Sequence, residues 1–247
     1  MRAVRTLVIV LVVLVVVAVI ADSGARRVAE GRLADGIRTS QRLAEPPSVS
    51  IGGTPFLLEA ARGRYDDVQL QLGQIDVPGG PTLTSVDARL TGVTAPLSSL
   101  NAASGSQALP DVRADAVQAQ ALVSYAALTK TFAAALPKEV SGLTLSQASS
   151  AGDVRVRLSY AILGFDVPID ASVHLTIKGK KLVATASPAT LAGIPAQFRD
   201  QVAQLMTFST AVPALPYGLA ISGLSVRADG IAFAASGRNV QLGALAS

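Results

Sequence analysis

The sequence predicts an α+β fold in which a long, twisted antiparallel sheet packs with two or three helices and follows an N-terminal hydrophobic helix. Three observations predict it: an uncharged apolar run near the start of the chain, several segments of alternating apolar and polar residues, and shorter segments with apolar residues at helical spacing. The chain has 247 residues, enough for one large domain or two small ones. We expect residues 46–247 to form a single domain.

The first element is the apolar run. It follows Arg2 and Arg5 and carries no charge over residues 6–21. The length of this run, 16 residues, is between the usual length of a signal-peptide core and the ~20 residues that span a bilayer. We therefore expect residues 1–21 to be a signal peptide or a signal anchor. A retained anchor is favoured because a tilted helix can recruit flanking residues.

The charge distribution bears on where the chain acts and what it binds. The basic residues before the run should stay in the cytoplasm, which places residues 22–247 outside it, in the cell envelope or, after cleavage, in the periplasm or medium. Without Arg2 and Arg5, 19 of the 21 basic residues remain against 17 acidic ones, a net charge of +2. That balance argues against a nucleic-acid partner. The chain has no cysteine, so an exported domain has no disulfide and depends on its own core.

A second helix is expected over residues 22–45, next to the membrane and either part of the domain or leading into it. Apolar residues lie four apart, at Ala25, Ala29, Leu33 and Ile37. The apolar face is thin and rich in alanine, which favours a stalk or a helix packed on the domain over insertion into lipid. The pattern predicts an end near Pro46.

Residues 51–65, IGGTPFLLEAARGRY, predict a turn and a short helix after a strand at Val49 and Ile51. Thr54 is a suitable N-cap, Pro55 suits the first helical position, and Gly63 should end the helix. A turn that needs positive φ is favoured for Gly52 and Gly53 over a phosphate cradle, because the phosphate-loop spacing and its lysine are missing.

Alternation predicts the strands. The clearest runs over residues 167–178 and would be about 40 Å long. It turns at residues 178–181 into a returning strand. Further strands are expected at residues 68–72, 86–90 and 154–160, and a C-terminal pair at 219–226 and 231–233 is joined by Asp229-Gly230, a strong hairpin signal.

Two further helices are predicted from apolar residues at helical spacing. One covers residues 124–136, with Tyr125, Leu128 and Phe132 on one side. The other begins at Pro195. Its apolar side consists of Phe198, Val202, Leu205 and Met206.

Candidate catalytic and metal-binding residues are few. The lone histidine, His174, lies on the polar side of the long strand, and a histidine in such a position is more often a solvated surface residue than a catalytic base. No G-x-S-x-G motif supplies a serine nucleophile. One histidine without cysteine is a poor basis for zinc, and adjacent Asp66 and Asp67 at a strand start are more often solvated than calcium ligands. We expect no enzyme, no cofactor and no metal. A lipid hydrolase, the remaining catalytic alternative, would need His174.

Three motifs carry a resemblance. Residues 51–68 read I-G-G-x-P-F-L-x(5)-G-x-Y-x-x-V, residues 89–93 read R-L-T-G-V, and L-P-x-G-L at 215–219 is followed by A-D-G-I at 228–231. In this order they resemble the LmeA-like phospholipid-binding family of bacterial cell envelopes, over most of residues 25–243. The resemblance implies a fold similar to the tubular lipid-binding, BPI-like proteins, in which a long sheet curls around helices and acyl chains lie between them.

The function expected from these observations is an exported envelope protein that binds phospholipid acyl chains in an apolar groove, and that shuttles or senses lipids. The alternative is an envelope scaffold or interaction protein with a solid core and no ligand. The expected partners of the lipid-binding protein are phospholipid and the membrane.

Two sets of residues are candidates for lipid contact. Ordinary core packing would account for the first set equally well, and a solvated turn for the second. The candidate groove residues are Phe56, Leu57, Tyr65, Leu128, Phe132, Phe198, Val202 and Met206. The candidate contacts to an anionic membrane surface are Lys178, Lys180 and Lys181.

Overall fold

The structure is a computed structural model that describes residues 2–41, 43–53, 55–77, 80–95, 112–134, 136–150, 152–162, 165–179, 181–186, 208–211 and 215–242. Within these ranges it has three α-helices and eleven strands in two open antiparallel sheets, so the predicted fold class is confirmed. The helices are α1 Arg2–Gln41, α2 Phe56–Arg62 and α3 Tyr125–Ala133. The strands are β1 Ser48–Ile51, β2 Arg64–Leu72, β3 Ser85–Thr94, β4 Arg113–Ser124, β5 Val140–Gln147, β6 Asp153–Ile162, β7 Phe165–Lys178, β8 Lys181–Ala186, β9 Phe208–Ala211, β10 Ala220–Val226 and β11 Gly230–Gln241.

The strands divide into two sheets rather than forming one long sheet. The first has the order β1-β2-β3-β4-β11-β10, and the second runs β5 to β9 in chain order. The break comes at Ser124, where β4 ends and its hydroxyl accepts a hydrogen bond from the Ala127 amide to cap α3. Because α3 then packs along β5, the chain leaves the first sheet and starts a second one.

The predicted hairpins are confirmed. Of the strands that the structure describes, β7 is the longest, with 14 residues, and Lys178 pairs with Lys181 at its turn, where Gly179 has φ 62°. The C-terminal pair forms through the Asp-Gly turn, at which the Arg227 amide donates to the Gly230 carbonyl. The helix expected from Pro195, with Phe198, Val202, Leu205 and Met206, lies outside the described residues.

The apolar run and the predicted second helix form one continuous helix, α1. It ends at Gln41, so the predicted end near Pro46 is wrong by several residues. Ala25, Ala29 and Leu33 pack against the core, as expected for a helix that lies on the domain. Among the described residues, no helix meets the length and apolar character required to cross a bilayer.

Among the described residues, three groups of buried side chains form the core. The first core lies between α1, α2 and the first sheet and consists of Ile51, Phe56, Ala60, Tyr65, Val93, Ala95, Val112, Ala114, Val117 and Val240. The junction core lies where α3 and the two sheets meet and consists of Val123, Leu128, Val154 and Ile231. The second core lies on the second sheet and consists of Ile169, Ala171, Val173, Ala184 and Ala186.

Candidate functional site

One face of the first sheet carries two adjacent rows of apolar residues. Side chains alternate between the faces of a strand, so residues in register across neighbouring strands form rows. The alanine row is Leu70, Ala88, Ala119, Ala235 and Ile221. The second row is Leu72, Val86, Ala121, Phe233 and Leu224. All ten residues are half-buried, and together we call them the apolar strip.

The strip has the dimensions of an acyl chain. Each row crosses five strands, so its length is four strand spacings of about 4.8 Å, or ~19 Å. Half of the hydrocarbon core of a bilayer is about 15 Å thick. Three of the five residues in the alanine row are alanines, which have small side chains. The row therefore matches the length of an extended acyl chain.

The strip is continuous with apolar residues along both of its long sides. On one side Val68, Leu90 and Val117 belong to or pack on the first core. On the other side Phe233 and Leu224 pack on the junction core. Two half-buried residues of the second sheet, Val156 and Leu175, pack on both the junction core and the second core. An apolar surface therefore extends from α2 across both sheets.

The opposite face of the first sheet is polar and holds an open groove of about 490 Å³. Most of the residues that line it are one position before or after a residue of the alanine row along the same strand. Their side chains therefore point to the face opposite the strip. The groove is lined by Gln69, Gln71, Asp87, Arg89, Gln118, Gln120, Ser222, Ala234 and Ser236, with Leu70, Ala88, Ala119 and Ala235. Glutamine, aspartate and arginine side chains are poor partners for acyl chains because their polar groups would lose water. The apolar strip is thus the better candidate for an apolar ligand.

The candidate groove residues from the sequence lie in three different places. Phe56 and Tyr65 are buried in the first core with ring centroids 6.1 Å apart, and Leu128 is buried in the junction core. Leu57 and Phe132 are exposed, at 47% and 44%. Phe198, Val202 and Met206 lie outside the described residues. Contact of these eight residues with lipid stays a prediction, and the strip itself was not anticipated.

Of the glycine pair, Gly53 has the predicted positive φ, whereas Gly52 does not. Gly53 has φ 99°, and a Cβ at this position would overlap the Glu59 carboxylate. The Gly52 amide donates to the Asp67 carbonyl at 2.8 Å. The helix after the turn ends at Gly63 with φ 64°, also as predicted.

The start of α2 differs from the prediction. Pro55 is the N-cap rather than the first helical residue, and Thr54 lies outside the described residues. A carboxylate of α1 caps the helix instead: Asp22 Oδ2 accepts from the Phe56 amide at 3.0 Å, and Asp22 Oδ1 from the Leu57 amide at 2.7 Å. Asp22 is 8% exposed. The hydrogen bond from Leu57, with further contributions from Phe56 and Arg26, lowers the pKa of Asp22, so it remains an anion.

More polar groups surround this contact. The Arg26 guanidinium donates to the Gly53 carbonyl, and Glu30 Oε1 accepts from the Ile51 amide at 2.8 Å. Burial, and next the charge of Asp66, raises the pKa of Glu59. These bonds tie α1 to the turn and to β1, and they fix the position of α2 relative to residues 6–21.

The polar face of the second sheet carries the histidine. His174 is exposed, and its Nδ1 lies 2.6 Å from Asp153 Oδ1 on the neighbouring strand. Arg155 and Arg157 both contact Asp170 there. The Arg155 hydrogen bond is the largest of the causes that lower the pKa of Asp170 to about 2. In the part of the chain that the structure describes, no three acidic or histidine residues are placed to hold a metal ion.

The lysine turn lies at the far end of β7 and β8. Lys178 and Lys181 are exposed, and Lys180 lies outside the described residues. Their contact with a membrane stays a prediction.

Comparison with known proteins identifies the family. A family model described as LmeA-like phospholipid-binding matches residues 20–236 of the 247 residues. The chain belongs to the LmeA-like phospholipid-binding family. No curated protein matches the chain, and no solved structure matches it.

The match to the LmeA-like family includes the features that carry the site. Residues 20–236 contain the second half of α1, the Asp22 contact, α2 and both rows of the apolar strip. The resemblance found in the sequence motifs is confirmed. Membership in a phospholipid-binding family agrees with an apolar strip of acyl-chain length.

Proposed function

We propose that this LmeA-like protein is an exported cell-envelope protein that binds a phospholipid with an acyl chain along the apolar strip. The strip carries the proposal: two adjacent rows of half-buried apolar residues about as long as an acyl chain, in a chain of a phospholipid-binding family. Burial of apolar surface, at about 25 cal/mol per Å², supplies the affinity.

Export and anchoring are supported by the sequence. Arg2 and Arg5 precede the apolar run, and this order favours a cytoplasmic N-terminus with the remaining chain outside. We propose that residues 6–21 hold the chain at the membrane, from which the strip takes up lipid to shuttle or sense it.

The proposal assigns a binding role and no catalytic one. The lone histidine is an exposed cross-strand partner of Asp153 on the second sheet, whereas the apolar strip is on the first sheet. Replacement of His174 by alanine should therefore leave phospholipid binding unchanged. Among the described residues, no specific contact favours the hydrolase or the scaffold alternative.

Photo-crosslinking tests the proposal on the full chain. The chain is placed in vesicles that contain a phospholipid with a photoreactive diazirine in its acyl chain, illuminated, digested and mapped by mass spectrometry. We expect adducts on β3, β4 and β11 at residues of the apolar strip. Adducts confined to residues 6–21, with none on the sheet, would favour the scaffold alternative and refute the strip as the site.

A further inference from the structure

The helix α2 is apolar on two sides. Phe56 and Ala60 face inward and are buried in the first core. Leu57 and Leu58 lie on the outside with 47% and 44% exposure. The two adjacent leucines form a small apolar patch on the outer side of α2.

A second exposed apolar surface lies beside them. On α1, Val15, Val16, Val17, Val19 and Ile20 are 51–67% exposed. The two amides that Asp22 binds belong to Phe56 and Leu57, at the start of α2. Since a helix rises 1.5 Å per residue, Asp22 lies about 3 Å beyond Ile20 along the axis of α1. The outer leucines of α2 are therefore next to the end of the apolar run.

We propose that Leu57 and Leu58 insert into the interface of the same bilayer that holds residues 6–21, so that α2 is a second membrane contact. The proposal rests on the anchoring stated under the proposed function. Elements that lie in the interface bury their apolar side about 5–10 Å deep. The short distance between Asp22 and Ile20 along α1 places α2 within that range.

Charge on both helices fits an anionic lipid surface. Arg62 on α2 follows Leu58 by four residues, Arg27 on α1 follows Asp22 by five, and both are exposed. Basic side chains near such a surface are attracted to it. The negative charge of Asp22 is directed at the α2 amides, so it does not face the headgroups.

Docking through α2 would also orient the strip. The inner residues of α2 belong to the first core, and Val68, Leu90 and Val117 join that core to the strip. The long side of the strip that adjoins the first core would then face the bilayer, where lipid enters.

Single-cysteine labelling tests the contact, since the chain has no cysteine of its own. Leu58→Cys carries an environment-sensitive fluorophore in the full chain, in vesicles of phosphatidylcholine and phosphatidylglycerol with and without bromine on the acyl chains. Gln118→Cys, on the polar face of the first sheet, is the matched control. We expect a blue shift and bromine quenching for Leu58→Cys alone. Equal access of a water-soluble quencher to both labels would overturn the proposal.

A second comparison separates docking from labelling effects. A label at Ala61→Cys, which is also exposed on α2, reports the same contact with both leucines present. In a Leu57→Ser/Leu58→Ser chain we expect the equilibrium constant for docking of α2 to the membrane to fall on the order of tenfold. The thermal midpoint should stay the same because both leucines are at the surface. An unchanged Ala61→Cys signal in the double variant would refute insertion of the leucines.

The outcomes of the two tests are distinguishable. Acyl-chain adducts on the sheet together with a water-exposed Leu58 label would refute docking and retain the strip. A membrane-buried Leu58 label without adducts on the sheet would support docking and refute the strip as the site.

Discussion

Replacing Ala119 with phenylalanine should block the apolar strip. Ala119 lies at the centre of the alanine row, in register with Ala88 on β3 and Ala235 on β11. A phenyl ring there covers about one strand spacing, ~4.8 Å, which is roughly the length of four methylenes of an extended acyl chain. At ~0.8 kcal/mol per methylene, the lost burial is about 3 kcal/mol, or on the order of 100-fold in affinity.

The assay is equilibrium binding of a phospholipid with a fluorescent acyl chain to the full chain. Gln118→Phe is the matched control, because it adds the same ring to the adjacent position on the polar face. We expect Ala119→Phe to weaken binding and Gln118→Phe to leave it unchanged.

Thermal unfolding of the same two variants separates an open strip from a filled core. In an open strip the ring occupies free space, and the midpoint of Ala119→Phe should hold or rise. In a filled core, overpacking costs about 1–3 kcal/mol. Unchanged binding together with a lowered midpoint for Ala119→Phe would refute the assignment and favour the scaffold alternative.

Three further predictions concern stability. Asp22→Asn keeps one acceptor for the two amides of α2 and should lower the thermal midpoint by about 2–4 °C, and an unchanged midpoint would contradict the capping role. Gly53→Ala should destabilise the chain more than Gly73→Ala, because Gly53 has a positive φ and a Cβ there would overlap the Glu59 carboxylate, whereas a Cβ at Gly73 meets open space. Equal unfolding temperatures of the two variants by calorimetry would contradict this prediction. The contact with Arg155 lowers the pKa of Asp170 to about 2. It therefore stabilises the folded chain fully above the ordinary aspartate pKa of ~3.9, and this stabilisation is lost as the pH falls toward 2. The stability difference between the native chain and Asp170→Asn should narrow over that window in pH-dependent denaturant titrations, and a difference independent of pH would refute the assignment.

The strands that sequence analysis found share one property. In β7 and in the C-terminal pair, branched or large apolar residues alternate with polar ones, a pattern typical of a half-buried strand. β4 was missed although Val117, Ala119 and Ala121 alternate with Gln118 and Gln120. Alanine and glutamine favour helices, which hides the period of two. The central strand of the strip was therefore the hardest to predict.

The residues of the apolar strip were not predicted from the sequence, whereas the fold class was. Local signals placed the glycine turn and the end of α2, because φ and chain reversal depend on neighbouring residues. The cap of α2 comes from Asp22, 34 residues before Phe56, and no local pattern indicates it. Leu57 and Phe132 were assigned to a groove by their apolar character alone, and that character does not distinguish an inward side chain from an outward one.

The continuity of α1 has a mechanical consequence. A helix of 40 residues is about 60 Å long, and Asp22, Arg26 and Glu30 bond it to the turn, β1 and α2 without a linker. With residues 6–21 in a bilayer, a change in membrane thickness that tilts this segment would tilt the whole domain by the same angle. Bilayer thickness would then set the height of the strip above the headgroups, because α1 connects the membrane segment to the domain rigidly and not through a flexible linker.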